Sequence, residues 1–308
     1  MDGTPAATAA DHDDAHPDLA TAAFVEHRNL LFTVAYEMLG SAADAEDVVQ
    51  EAWLQWAGVD LDAVRDKRAF LVRITTRQAL TRLRVLGRRK ESYVGSWLPE
   101  PLLTAPDVAE DVELSDSVST AMLLILETLT PVERAVFVLR EVFDLRYGEV
   151  ADAVGKSPAA VRQIAHRARA HVDARRPRGV VSPAETRGAL AAFRRAVETG
   201  ELQGLLDILA PDVVLLGDGG GIANAVRRPV VGARRVARLA GLLSDRFGSS
   251  VSAEPAHVNG CPALIVRLDG EIDNVVTMRI DDGFVTGVYI VRNPAKLSRM
   301  ERETAMIR

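Results

Sequence analysis

The sequence predicts a chain of several domains, two all-helical units followed by a C-terminal α+β domain. Three observations carry this expectation. Apolar residues recur at helical spacing through residues 24–90, and Tyr147–Val154, a turn at Gly155-Lys156 and a helix from Ser157-Pro158 form a helix-turn-helix pattern. The last fifty residues alternate like paired strands. A length of 308 residues also exceeds what one ordinary core supports.

In chain order, residues 1–19 are Ala/Asp-rich without hydrophobic period and read as a disordered acidic tail. The first helical unit spans 20–93. Phe24, Leu31, Val34, Ala35, Met38 and Leu39 mark a first helix stopped at Gly40, a second follows Ser41, and a third covers about Lys67 to Lys90. Residues 94–113 form a linker, because Pro99 and Pro101 lock Trp97-Leu98-Pro99-Glu100-Pro101-Leu102-Leu103 into an extended form. The second helical unit, 114–178, opens with a helix to Leu129. A capping box at Thr130-Pro131-Val132-Glu133 starts the next one, and the helix-turn-helix follows. The third domain, 183–300, predicts helices at 183–199, 202–209 and 233–247, and strands at 212–216, 263–268, 273–280 and 284–291.

The net charge of −6 argues at first against a nucleic-acid partner, but its distribution reverses that inference. Residues 1–64 carry −12, 65–91 carry +8, 94–129 carry −7, 130–155 carry −2, 156–178 carry +6 and 179–308 carry +1. Two basic blocks are separated by an acidic spacer. The apolar runs are too short to span a membrane, and the acidic start lacks the cationic lead of a secretory signal. The single cysteine, Cys261, cannot close an internal disulfide, which fits a cytoplasmic location.

A recognition helix buries one face on its partner and shows donors to base edges from the other. Val161, Ile164, Ala165 and Ala168 supply the buried face, while Lys156, Ser157, Ala159, Arg162, Gln163, His166 and Arg167 are placed to read DNA. A helical hairpin with a solvated basic face would show the same period. In the other basic block, Arg73, Arg77, Arg82, Arg84, Arg88, Arg89 and Lys90 have the density that phosphate neutralisation needs, with Thr75, Thr76, Gln78 and Thr81 beside them. Asp44, Asp47 and Glu51, with Gln50 nearby, form an acidic face suited to a basic protein partner or to solvent.

In this order, Asp44-Ala45-Glu46-Asp47-Val48-Val49-Gln50-Glu51-Ala52-Trp53-Leu54, the basic helix, Leu129-Thr130-Pro131-Val132-Glu133-Arg134 and the helix with Val161-Arg162-Gln163 resemble an extracytoplasmic-function sigma factor of bacterial RNA polymerase. The resemblance covers about residues 20–175. It implies that Asp44, Asp47, Gln50 and Glu51 dock on the β′ clamp helices, that the basic helix melts and reads the −10 element, and that Ser157–Arg169 reads the −35 element. The partners it implies are core RNA polymerase, at the β′ clamp helices and the β flap, and promoter DNA, with no membrane, cofactor or metal. The linker motif and the long C-terminal extension are further similar to the subfamily with a fused SnoaL-like (NTF2-like) domain. That implies a cone-shaped α+β domain with a curved antiparallel sheet behind a region 2 three-helix unit and a region 4 helix-turn-helix unit. The subfamily's DGGGK and NPDKL motifs correspond to Asp218-Gly219-Gly220-Gly221-Ile222 and Asn293-Pro294-Ala295-Lys296-Leu297, with Ile222 and Ala295 departing from the pattern.

Asp212, Asp218, His257, Asp269 and Asp273 show no paired spacing that would suggest catalysis, and the C-terminal domain is expected not to be an enzyme. Trp97, Leu98, Leu102 and Leu103 form an apolar patch too kinked to bury itself, and the glycines after Asp218 permit close approach of another backbone. We therefore expect the C-terminal domain to contact the linker and modulate the sigma units, with a small ligand or protein as a further partner. A helix-turn-helix regulator with a ligand-binding or enzymatic C-terminal domain is the alternative.

Overall fold

A computed structural model of the chain describes residues 15–104, 112–176, 182–247, 250–300 and 303–307. Helix α1 (Ala15–Leu39) begins inside the expected tail. Tail residues 1–14 lie outside the described residues. Helix α2 (Ala42–Trp56) is capped by Ser41, whose hydroxyl accepts from the Asp44 N–H, and α3 (Lys67–Glu91) packs on both. Trp56 is fully buried and donates through Nε1 to the Ala20 carbonyl at 2.8 Å.

The single helix expected to Leu129 is two, α4 (Val112–Val118) and α5 (Thr120–Glu127). Ser119 takes an extended ψ of 146° and caps α5 by accepting from the Met122 N–H, because a serine hydroxyl competes with the helical ladder. The capping box at Thr130 and Glu133 opens α6 (Pro131–Phe137), which runs into a π-helical turn at Val138–Val142. Helices α7 (Tyr147–Val154) and α8 (Pro158–Asp173) make the helix-turn-helix, with Ser157 capping α8. The two helical units are not separate bodies. One apolar core runs from Ala20 to Val172 and also takes in Leu102 and Met306, while α3 lies against α6 and α7.

The C-terminal domain contains α9 (Pro183–Thr199), α10 (Gln203–Leu206), β1 (Leu209–Asp218), β2 (Val230–Val231), α11 (Ala233–Phe247), β3 (Val251–Val258), β4 (Cys261–Leu268), β5 (Glu271–Asp281), β6 (Phe284–Val291) and α12 (Pro294–Leu297). The sheet order is β2-β1-β6-β5-β4-β3. It is mixed, which corrects the expected antiparallel sheet: β1 runs parallel to β6, since a helix and four strands intervene before β6 returns beside it. Strand β3 was not expected because Pro255 interrupts it, and as an edge strand it tolerates that proline. The helix expected at 202–209 stops at Leu206 because Leu209 already pairs in β1. Register irregularities in the β1–β6, β4–β5 and β5–β6 pairings mark bulges, which bend strands. One face buries Phe193, Val213, Val236 and Val276 beneath α9 and α11, and the other buries Val258, Ile265, Tyr289 and Met300 together with Leu98 of the linker.

Candidate functional site

The acidic face of α2 is open: Asp47, Gln50 and Glu51 are exposed and Asp44 is half-buried. Leu54, one turn beyond, is 73% exposed, a large apolar side chain within a charged face. Sequence reasoning passed over Leu54 because it lies off the buried stripe.

The recognition helix matches expectation in its exposure. Lys156, Ser157, Ala159, Arg162, Gln163, His166 and Arg167 are all exposed, and Val161, Ala165 and Ala168 are buried beneath them. Arg162 lies over the Tyr147 ring at 5.6 Å and Arg167 is 4.0 Å from Glu133, loose contacts, while the Ser157 hydroxyl accepts from the Ala160 N–H at 3.2 Å.

The basic block on α3 is more committed than its sequence implied. Arg84 and Arg88 are exposed, as is Thr81, and Arg73 and Gln78 are half-buried; nothing is described of the Arg89 side chain. Three other cations are engaged inside the molecule. Arg77 Nη2 donates to the Asp152 carbonyl of α7 at 2.8 Å, and Arg82 bridges Asp44 at 2.7 Å and also pairs with Asp47. Lys90 Nζ meets Glu127 at 2.5 Å and stacks over Trp97 at 3.4 Å, with burial pulling its pKa down to about 8 against the pull of Glu127. Thr75 and Thr76 are fully buried and do not face a ligand. Arg77 is engaged by α7, Arg82 by α2 and Lys90 by α5 and the linker, partnerships that the periodicity of α3 does not reveal.

The linker is clamped from three sides. Asp218 is completely buried at the end of β1. Its Oδ1 accepts from the Tyr93 hydroxyl at 2.6 Å, and its Oδ2 accepts from the Leu98 N–H at 2.9 Å and from Lys296 Nζ at 2.7 Å. Lys296 Nζ also donates to the Leu98 carbonyl and sits 4.3 Å from the Trp97 ring centroid. Burial lowers the Lys296 pKa although Asp218 pulls it up. Asn293 caps α12, with Pro294 at its first turn and Leu297 buried, and its Nδ2 donates to the Tyr93 hydroxyl at 2.8 Å. The glycine-rich loop and the Asn293–Leu297 motif therefore form one site. A Cβ on Gly220, whose φ is +64°, would lie 2.4 Å from Asn293 Nδ2, so this position takes no larger residue. The groups approaching Gly220 and Gly221 are the side chains of Asn293 and Val94, which corrects the expected approach of another backbone. Gly219 meets its own loop at Ala223 and Ala225.

Glu100 turns the other way. Buried beside α2, its Oε2 accepts from the Ala42 N–H at 2.8 Å, the Ala43 N–H at 3.3 Å and the Ser41 hydroxyl at 3.3 Å. The apolar patch divides accordingly: Leu98 and Leu103 pack on the sheet, while Leu102 enters the helical core. The buried ring of Pro99 and that of Pro101 keep this stretch extended, so that Leu103 bridges Val258 at the sheet edge.

Asn259, which the sequence shows only as half of an Asn-Gly turn, joins the parts. Its Oδ1 accepts from the Leu102 N–H at 2.9 Å and the Tyr36 hydroxyl at 3.1 Å, and its Nδ2 donates to Thr120 at 3.4 Å. Gly260 follows with φ +70°, and a Cβ there would lie 2.7 Å from the Ser115 backbone. The Asn-Gly signal marks a tight turn; its buried contacts come from elements up to 223 residues away.

Comparison with known proteins gives consistent matches. Models of sigma-70 region 2 and sigma-70 region 4 match residues 23–89 and 119–172. The ECF RNA polymerase sigma factor SigJ of Mycobacterium tuberculosis (strain ATCC 25618 / H37Rv) is 36% identical, covering 88% of this chain and 91% of that protein. The probable ECF RNA polymerase sigma factor SigI of Mycobacterium tuberculosis is 32% identical over 93% of this chain and 97% of its own length. The crystal structure of Mycobacterium tuberculosis SigJ superposes with a TM-score of 0.73 at 33% identity, covering 91% of this chain and 98% of that one.

Proposed function

Because the chain belongs to the extracytoplasmic-function sigma factors, and so binds core RNA polymerase and directs promoter-specific initiation, we propose that its C-terminal domain regulates that activity by gripping the linker. The observation that carries this reading is the triple hold of Asp218 on Tyr93, Leu98 and Lys296, which fixes the segment between the two DNA-reading units.

We assign region 2 to residues 20–93, the linker to 94–113, region 4 to 114–178 and the regulatory domain to 183–300. Asp44, Asp47, Gln50 and Glu51, with Leu54 as an apolar anchor, dock on the polymerase. Arg84 and Arg88 with the rest of the α3 block meet the −10 element, and α8 reads the −35 element. In the closed chain Arg77, Arg82 and Lys90 are occupied, so engaging a promoter requires α3 to part from α7 and these cations to exchange protein acceptors for phosphate. The acidic spacer and the closed packing both favour weak binding to free DNA. The work is done in the cytoplasm, where the polymerase is. A regulatory role is favoured over catalysis by the internal pairing of the C-terminal acids: Asp273 is bonded to Arg292, Asp218 holds the linker, and Asp269 occupies a turn at φ +53°.

Run-off transcription with purified core polymerase tests this, comparing the full chain with residues 1–178 and with Asp218→Asn. Both changed forms are expected to initiate at the same promoters with altered yield. Yields equal to that of the full chain would refute regulation through the clamp, and no transcription with any form would refute the promoter role.

A further inference from the structure

The C-terminal domain contains a cavity of about 370 Å³ between the sheet and helices α9 and α11. Phe193, Leu215, Leu239, Ala240 and Val276 are among the apolar residues of its wall. Sites for small organic ligands run from about 300 to 1,000 Å³ and combine such apolar walls with a few fixed polar groups.

Four polar side chains line this cavity, Asn224, Asp273, Asn274 and Arg292, and the pairing of the last three defines what can enter. Arg292 donates through Nε and Nη2 to Asp273 Oδ1 at 3.0 and 2.5 Å and through Nη1 to the Asn224 carbonyl at 2.7 Å, a neutral and internally satisfied pair. Asn274, 5% exposed, donates through Nδ2 to Asp273 Oδ2 at 2.8 Å, and its Oδ1 has no donor among the described residues. An ionic ligand would have to break the Asp273–Arg292 pair, whereas a neutral one with a single donor completes the set.

We propose that this cavity binds a neutral, mostly hydrocarbon small molecule bearing a hydroxyl that donates to Asn274, and that its occupancy strengthens the hold on the linker. Coupling follows from chain geometry. Gly217 in the wall precedes Asp218, and Arg292 in the wall precedes Asn293, so the two residues that hold the Tyr93 hydroxyl are anchored by the cavity. The Arg292 N–H also donates to the Asp218 carbonyl at 2.7 Å. A ligand that fixes these strand ends opposes their movement on undocking, and the docked linker in turn raises ligand affinity by the same factor.

The test is a fluorescence titration of the full chain with 2-naphthol, with 2-methylnaphthalene and anionic 2-naphthoate as comparison probes. Saturable binding of 2-naphthol is expected, about three- to tenfold tighter than 2-methylnaphthalene, one hydrogen bond's worth, and tighter still than 2-naphthoate. Asn274→Leu should erase the preference for the hydroxyl, and Ala240→Phe should fill the cavity and abolish binding while leaving the thermal midpoint close to wild type. Hydrogen exchange at residues 96–103 should slow with saturating 2-naphthol, and not in Ala240→Phe. No saturable binding, a preference for 2-naphthoate, or an unchanged hydroxyl preference in Asn274→Leu would overturn the site. Unchanged exchange in the wild-type linker would overturn the coupling.

Discussion

Glu37 shows how one side chain can make this packing depend on pH. It is fully buried where α1 meets α4, its Oε1 accepts from the Ser117 hydroxyl at 2.8 Å and its Oε2 has no partner among the described residues, so burial pushes its pKa up to about 8. Unfolded, the group titrates near ~4.3. The native state therefore favours the proton: the stabilisation is fully present below that value and is lost as pH rises through about 8. Glu37→Gln, which mimics the protonated form, should match wild type at pH 4 and exceed it at pH 9 in a thermal melt. The gain should be roughly 2–4 °C for each kcal/mol recovered. At the clamp, Lys296→Ala removes the cation from the buried Asp218 carboxylate, and loss of one partner of a buried pair costs about 3–5 kcal/mol. Faster proteolysis of the linker region would report it. Neither Glu37 nor Glu100 was legible as a buried acid, because nothing near them in sequence shows what later elements cover.

Among the elements, those built from local chemistry were the legible ones. Thr130 caps the helix it was expected to cap, the helices expected after Ser41 and from Ser157-Pro158 start there, and the two faces of α8 separate as their spacing requires. Partnerships made at a distance were not legible, including β1 beside β6 and α3 beneath α7. For α8, Arg162→Ala or Gln163→Ala should cost about 1–3 kcal/mol at one base step and relax specificity there. Lys156→Ala should weaken all sequences alike and lower the salt slope by about one. Binding of holoenzyme to promoter variants at several salt concentrations separates the two. For the linker, Leu98 is wholly buried on the sheet, and Leu98→Ala should cost about 2–5 kcal/mol of domain docking, read as a lower denaturation midpoint of the C-terminal domain.

On the scale of the whole molecule, the continuous core from Ala20 to Val172 makes α3 and α8, the helices proposed to read DNA, parts of one body. Adding core polymerase should raise hydrogen exchange on the facing sides of α3 and α7, and Arg77→Ala should raise it before polymerase is added, since the contact to Asp152 is gone. Equal exchange with and without polymerase would refute opening. Cys261, half-buried and with its thiol pushed up to about 11 by burial, should react slowly enough for cysteines placed on α3 and α8 to carry distance probes.

Glu100 would give such an opening a chemical cost that falls on α2 itself. Its carboxylate is borrowed by the first backbone donors of α2, so the linker works as a detachable cap on the helix that presents Asp47 and Glu51. When the linker lifts away, Ser41 alone remains to start α2, and its leading turn is free to fray. A partner that supplies an oxygen to those amides in place of Glu100 would hold the turn, and would so sense the state of the C-terminal domain without touching it.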